Sequence, residues 1–317
     1  MQQLRLGQVV LDFALILALL TPLIVLSLAV NPFRRGFFCD DESIRFPYEP
    51  STVSSLALAV GFSAVVFLAI VVTEVVRLSL EAQSNLEFEP EKYKLGSVGV
   101  HRLLVRLYVF IGFCMFGAIV NLLLTAIGKY TLGCLRPHFL SVCKPNMTVL
   151  KRFCLPTAHV YIRSYDCLGS DAHLIREARL SFPSGHASFS FYAVIYICLY
   201  LQVRVWSLYS RIALPFIQLL LTCAAAYVAL TRISDNKHHW SDVLAGSLLG
   251  IGVALWTGLC VARLFERRHL AVMQSPTRSS LAAVTAAGSK SCAHIEEGQP
   301  LTALHNTHSS STQISSR

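Results

Sequence analysis

Thr231-Arg232-Ile233-Ser234-Asp235-Asn236-Lys237-His238-His239-Trp240-Ser241-Asp242 is a polar island between two long apolar runs, Ile212–Leu230 and Val243–Leu264. Each run is long enough, or nearly so, to cross the ~30 Å hydrocarbon core of a bilayer as a helix. The island is therefore read as the link between two membrane spans. Its twelve positions hold two bases, two histidines and two carboxylates. On a helix starting here, the four-residue spacing of His238 and Asp242 puts both on one face, where the carboxylate orients the imidazole and stabilises its charged form. Arg232 reaches a shared anion from the loop. A nucleophile or base, its orienter and an anion clamp in one segment make a candidate reaction site. Two blander readings compete. Charged loops between membrane helices are ordinary, and His238, His239 and Asp242 could bind a metal. The metal reading is weaker, because adjacent histidines seldom both bind one zinc ion and tetrahedral geometry is demanding.

The whole chain supports the membrane reading. Its 317 residues are 54% hydrophobic and 14% charged, with a mean hydropathy of +0.55, too apolar for a soluble domain. The net charge of +9 suits anionic headgroups or phosphates as partners. Nucleic acid is an improbable partner, since no soluble basic module is there to hold it. Six apolar runs read as spans: Val9–Val30, Val53–Val76, Leu107–Ile127, Ala187–Val203, Ile212–Leu230 and Val243–Leu264. The first is long for a signal peptide and leads into Asn31-Pro32-Phe33 without a small-residue cleavage pattern, so it is read as retained. Asp12 and Glu74 lie near span ends and are assigned structural roles, and Asn121 is placed to bond another helix. The expected organisation is a six-span unit over 1–269 and a disordered cytosolic tail over 270–317, rich in Ser, Thr, Ala and His.

With six spans, the loops after spans 1, 3 and 5 share one membrane face. Lys and Arg divide almost evenly between the faces and do not orient the chain. Asn146-Met147-Thr148, an N-glycosylation sequon, falls in the loop between spans 3 and 4 together with Cys143, Cys154 and Cys167. Both features suggest an extracytoplasmic active face and cytosolic termini. Cys39, Cys143, Cys154 and Cys167 can pair there, in combinations the sequence leaves open. Cys114, Cys198, Cys223 and Cys260 read as small buried hydrophobes.

Two further polar motifs border the same face. Lys129-Tyr130-Thr131-Leu132-Gly133-Cys134-Leu135-Arg136-Pro137 follows span 3 and supplies two cations. Phe182-Pro183-Ser184-Gly185-His186 opens span 4 with a capping hydroxyl and unpaired backbone N–H groups, an anion site at a helix start. Lys129, Arg136 and Arg232, the donors Ser184 and Gly185, and two histidines suit a phosphate monoester. The cations neutralise the dianion, one imidazole attacks phosphorus and the other protonates the leaving oxygen. No acidic metal cluster accompanies them, and neither a metal nor a cofactor is expected.

K-x6-R-P, P-S-G-H and R-x5-H-x3-D, in this order, resemble the three signature motifs of the type 2 phosphatidic acid phosphatase superfamily. Arg35–Ile44, Arg136–Cys143 and Ser241–Gly246 look like the animal lipid phosphate phosphatases. The resemblance covers span 1 to about Leu264 and not the tail. It implies an all-α polytopic membrane fold with the site at the extracytoplasmic ends of spans 3, 4 and 5/6. It implies His238 as nucleophile forming a phosphohistidine, Asp242 as its orienting partner and His186 as general acid and then base. Lys129, Arg136, Arg232, Ser184 and Gly185 would hold the phosphoryl group. The implied activity is magnesium-independent hydrolysis of phosphatidate, lysophosphatidate, sphingosine 1-phosphate and ceramide 1-phosphate. A homo-oligomer is implied as well, and the expected location is the plasma membrane, with internal membranes as the alternative. One departure is Thr231, where the family usually has Ser; the hydroxyl is retained. The competing classes are a non-catalytic lipid-binding or signalling protein of the same fold, or another enzyme of the superfamily. Intact His186 and His238 argue against the first, and Arg35–Cys39 with six spans argues for the lipid branch over the second.

Overall fold

The computed structural model describes residues 2–83, 93–95, 98–146, 154, 159–205 and 212–266. The expected tail lies outside them, as does Thr148 of the sequon. The helices are α1 (Leu6–Leu28), α2 (Ser55–Gln83), α3 (Arg102–Leu132), α4 (Phe139–Cys143), α5 (Ala172–Glu177), α6 (Gly185–Val205), α7 (Ala213–Ser234) and α8 (Trp240–Leu255), the last continued by a π-helical turn at Trp256–Val261. All but the short α4 and α5 are long and apolar enough to cross a bilayer, six spans among the described residues. The protein is a polytopic, mostly helical membrane protein.

Short strands complete the fold. β1 (Gln2–Leu4) pairs in parallel with β3 (Tyr93–Leu95), which pairs antiparallel with β4 (Val98–Val100). β2 (Phe37–Phe38) pairs antiparallel with β5 (Tyr161–Ile162).

The least apolar span lies at the centre. The best window of α6 has a mean hydropathy of 1.4, against 2.7 for α1, yet more than half of it is buried. A helix enclosed by protein can carry polar groups if each finds a partner. Tyr192 and Tyr196 donate to the carbonyls of Cys114 and Phe110 at 2.7 and 2.9 Å, and Tyr200 donates to Glu74 at 2.8 Å. These tyrosines recur every fourth residue and tie α6 to α2 and α3. Around α6 stand α2, α3, α7 and α8, while α1 packs chiefly on α3 with no buried side chain.

Gly246 makes the α6–α8 contact possible. A Cβ there would lie 2.4 Å from the Ser184 carbonyl oxygen. Close backbone approach of this kind is how small residues bring membrane helices together. It also fixes the start of α8 beside the start of α6.

The expected structural roles of the intramembrane polar residues hold. Glu74 is fully buried and binds Arg204 through two bonds of 2.8 and 2.6 Å. Asp12 accepts from the Tyr108 hydroxyl, and Asn121 accepts from Ser188 at 2.7 Å. Two cysteines depart from expectation. Cys114 and Cys198 are partly buried, but Cys223 and Cys260 face outward, where hydrocarbon rather than protein would cover them. On the site-bearing side, disulfides join Cys39 to Cys154 and Cys143 to Cys167, the pairing that the sequence left open.

Candidate active site

The three motifs meet at one end of the bundle, but helices carry more of them than expected. Lys129 lies in the last turn of α3, not beyond it. Arg232 lies in the last turn of α7 and not in a loop. Cations suit these positions because helix C-termini carry partial negative charge. Gly133 then ends α3 in the left-handed region (φ 56°), its N–H returning to the Lys129 carbonyl at 3.2 Å. That turn directs Arg136 back over the site, where its Nη2 binds Glu177 at 3.0 Å.

The opening island is built differently from the expected helix face. α8 starts at Trp240 with His239 as its N-cap, so His238 precedes the helix. The amides of Lys237 and His238 both donate to the Arg232 carbonyl, at 3.0 and 3.1 Å. This folds the chain back on the end of α7, with Asn236 in the left-handed region (φ 53°) that Asn tolerates. Asp242, at the third helical position, caps the helix start. Its Oδ2 accepts from the His239 amide at 3.0 Å and from the Ser181 hydroxyl at 2.6 Å, and His239 Nδ1 lies 3.2 Å away. His238 Nδ1 is 3.8 Å from the same oxygen, an ion-pair distance longer than a hydrogen bond. Asp242 and His238 are thus neighbours through capping geometry and not through a shared helical stripe.

Ser184 precedes α6, and its hydroxyl lies 3.5 Å from the Ala187 amide. Its own N–H is taken by the Asp242 carbonyl at 3.0 Å. Of the expected donors, the N–H of Gly185 remains in the first turn, where no intrahelical acceptor exists; the N–H of His186 stands beside it. Lys129 Nζ would lie 3.6 Å from a Cβ on Gly185, so α3 presents its ammonium at this helix start.

The charges act on one another. Arg232, Lys129 and Arg136 all exert their fields on His186, and Arg136, Lys129 and Asp242 act on His238. Burial pushes the His238 imidazole down to about 3, against the opposing pull of Asp242, so it is neutral with a lone pair available. Burial also lowers Arg136, against the opposing pull of Glu177 and Asp242. Arg136 Nε, Arg232 Nε and His238 Nδ1 are buried without a hydrogen-bond partner. Unpaired buried donors cost about 1–3 kcal/mol each, and guanidinium N–H groups are suited to the oxygens of an anion.

A family model described as the PAP2 superfamily matches residues 104–266, which include every one of these motif residues. The chain belongs to the PAP2 superfamily. It is 37% identical over 260 residues to phospholipid phosphatase 2 of Rattus norvegicus, covering 82% of this chain and 88% of that protein. Identity to phospholipid phosphatase 1 of Rattus norvegicus is 36% over 262 residues, covering 83% and 87%. Phospholipid phosphatase 2 of Homo sapiens is 36% identical over 261 residues, covering 82% and 84%. No solved structure matches.

This PAP2 chain also has site neighbours that the motifs do not mark. Residues 46–53 lie across the mouth as a strap. Phe46 N–H donates to the Pro137 carbonyl at 3.0 Å, and Asn236 Nδ2 donates to the Pro47 carbonyl at 3.3 Å. The Tyr48 ring lies 3.6 Å from Lys237 Nζ and meets His138 edge-on at 5.3 Å. Thr52 gives its N–H and hydroxyl to Asp235 at 2.8 and 2.7 Å, and Asp235 holds Arg232 Nη2 at 2.7 Å. The Val53 carbonyl lies 3.2 Å from His186 Nε2, which must carry a proton to make that contact. Asp235 was visible in the sequence as the carboxylate three residues after Arg232. Ser181, Glu177 and the strap gave no local signal, because their partners are tens of residues away. Asn146 follows the Pro145–Cys167 bridge and donates its N–H to Asp166 at 3.3 Å.

Proposed function

We propose that this chain is a magnesium-independent lipid phosphate phosphohydrolase acting on phosphatidate, lysophosphatidate, sphingosine 1-phosphate and ceramide 1-phosphate. One observation carries the reading: Lys129 and Arg136 act on a buried neutral His238 and, together with Arg232, on a second imidazole, His186. The relatives named phospholipid phosphatase support the substrate class. Nearby carboxylates are already bonded to protein donors: Glu177 to Arg136, Asp235 to Arg232, Asp242 to Ser181. That leaves charge neutralisation to the protein's cations.

The chemistry has two displacements. His238 Nε2 attacks phosphorus, and the phosphorus–oxygen ester bond breaks. His186 gives its proton to the leaving alkoxide, while Asp242, drawn in from 3.8 Å, stabilises the positive charge on His238. The Val53 carbonyl already holds Nε2–H, so the proton is delivered from the other nitrogen, which takes it up when the bound phosphate dianion offsets the surrounding cations. Water then attacks the phosphohistidine, His186 removes its proton, the P–N bond breaks and inorganic phosphate leaves. Lys129, Arg136, Arg232 and the Gly185 amide stabilise the equatorial oxygens in both steps, with the Ser184 hydroxyl assisting.

The site is assigned to the extracytoplasmic side of the plasma membrane, with cytosolic termini. Two disulfides on its face support an oxidising compartment, and Asn146 on the same side is the proposed glycan acceptor. The testing experiment is phosphate release from phosphatidate in detergent with excess EDTA. Wild type should be active and His238→Ala inactive. Folded wild-type protein inactive on all four lipids would shift the reading to a non-catalytic lipid-binding partner.

A further inference from the structure

An apolar groove of about 490 Å³ runs between α3 and α8, walled by Val120 and Leu124 on one side and Leu248, Leu249 and Gly252 on the other. Trp256, with its ring centroid 6.0 Å from that of Phe116, closes the inner end. No charged or hydroxyl-bearing side chain lines it.

Both walls belong to helices that have one end at the phosphate site. Lys129 is five residues outward from Leu124 on α3, and Asp242 is six residues outward from Leu248 on α8. At ~1.5 Å per residue, the groove opens about 8 Å below these groups and ends about 20 Å below them. One leaflet of a ~30 Å hydrocarbon core spans about 15 Å. The groove thus covers the depth at which a lipid with its phosphate among Lys129, Arg136 and Arg232 would keep its chain. Water gains nothing on such walls, and the surrounding phase offers hydrocarbon.

We propose that this groove holds one hydrocarbon chain of the lipid phosphate, making it the subsite that selects lipid over soluble phosphate monoesters. This inference rests on the phosphatase reading. It places a single chain in the protein and leaves any second chain in the bilayer.

Gly252 provides the test, because a Cβ there meets no atom within 4 Å. Gly252→Leu places a side chain in the groove from an unobstructed Cβ, and Gly61→Leu is the control, its Cβ equally unobstructed on α2. The quantity read is the ratio of kcat/KM for a long-chain lysophosphatidate to that for glycerol 3-phosphate. Gly252→Leu should lower it about tenfold, the scale of a few misplaced methylenes in an apolar pocket, and Gly61→Leu should leave it unchanged. An unchanged ratio in Gly252→Leu overturns the proposal. A lysophosphatidate with a photoreactive group in mid-chain gives a second, activity-independent readout. Labelling of α8 near Leu248–Gly252 is expected; labelling confined to other helices, or groove cross-links to a second copy of the chain, overturns it. Wild type that cleaves neither substrate would refute the phosphatase reading, while the labelling still decides the groove.

Discussion

Asp235→Asn should disable the site without touching a motif residue. The Asp235 carboxylate accepts bonds from Arg232 Nη2 at 2.7 Å, Thr52 N–H at 2.8 Å and Thr52 Oγ1 at 2.7 Å. Arg232 and Asp235 are both buried, at 1% and 6% exposure. Removing one partner of a buried ion pair costs about 3–5 kcal/mol, and bonds to charged groups are worth about 1.5–3 kcal/mol each. Asparagine keeps the shape and one acceptor, so the loss falls near ~2–3 kcal/mol. If Asp235 serves to aim Arg232 at the phosphoryl group, a loss of that size appears as a fall of about 30- to 150-fold in kcat/KM. The assay is phosphate release from lysophosphatidate, with thermal unfolding measured in parallel. Thr52→Val, which removes one of the three bonds, should show a smaller loss in the same direction. A folded Asp235→Asn variant with wild-type kcat/KM would refute the role given to this pair.

Ser181→Ala removes the 2.6 Å bond to Asp242 and should lower kcat by about tenfold, the kinetic equivalent of one net hydrogen bond; unchanged turnover would show that Asp242 needs no such hold. Acid should destabilise the fold before its carboxylates titrate. Burial holds His238 at about 3 and His138 at about 4, below the ~6.5 of an unfolded histidine. The unfolded chain therefore binds protons that the fold refuses, and stability falls with pH below ~6.5 by about 1.4 kcal/mol per pH unit for each group. His239, raised by its bond to Asp242, acts in the opposite sense. His138→Gln should flatten the decline of Tm between about pH 7 and about pH 5; a slope equal to wild type would contradict it. Cys143→Ala and Cys39→Ala each open a loop, of 24 and 115 residues' separation. Loop entropy assigns costs of about 3.5 and 5 kcal/mol, so both variants should melt earlier, Cys39→Ala by more.

The spans were legible because hydrocarbon imposes the same demand on every residue of a helix, so Val9–Val30 and Val53–Val76 announced themselves as long apolar runs with one charge each, Asp12 and Glu74. Their ends were not. Lys129 and Arg232 lie beyond the apolar residues, yet the backbone ladder continues through them, and composition cannot report where hydrogen bonding stops. The cations and histidines of the site were legible as polar motifs on one face by parity. Their second partners were not, since Ser181 reaches Asp242 across 61 positions and Thr52 reaches Asp235 across 183. Asp242 shows the limit most clearly. The i, i+4 spacing to His238 suggested a helical face, but the helix starts two residues too late, and the carboxylate serves first as a cap. The Tyr192, Tyr196 and Tyr200 stripe explains how the least apolar span came to be the central one. Only the position of its neighbours shows where each hydroxyl finds its acceptor.

The central claim is that the phosphoryl group passes through His238. Detergent-solubilised protein should be mixed with lysophosphatidate carrying a radiolabelled phosphate, quenched within the first turnovers, and mapped by peptide. An acid-labile, base-stable label on the peptide containing His238, absent from His238→Asn and formed with EDTA present, is the expected result. Active protein that releases phosphate without ever carrying the label, or that carries it elsewhere, would contradict the claim.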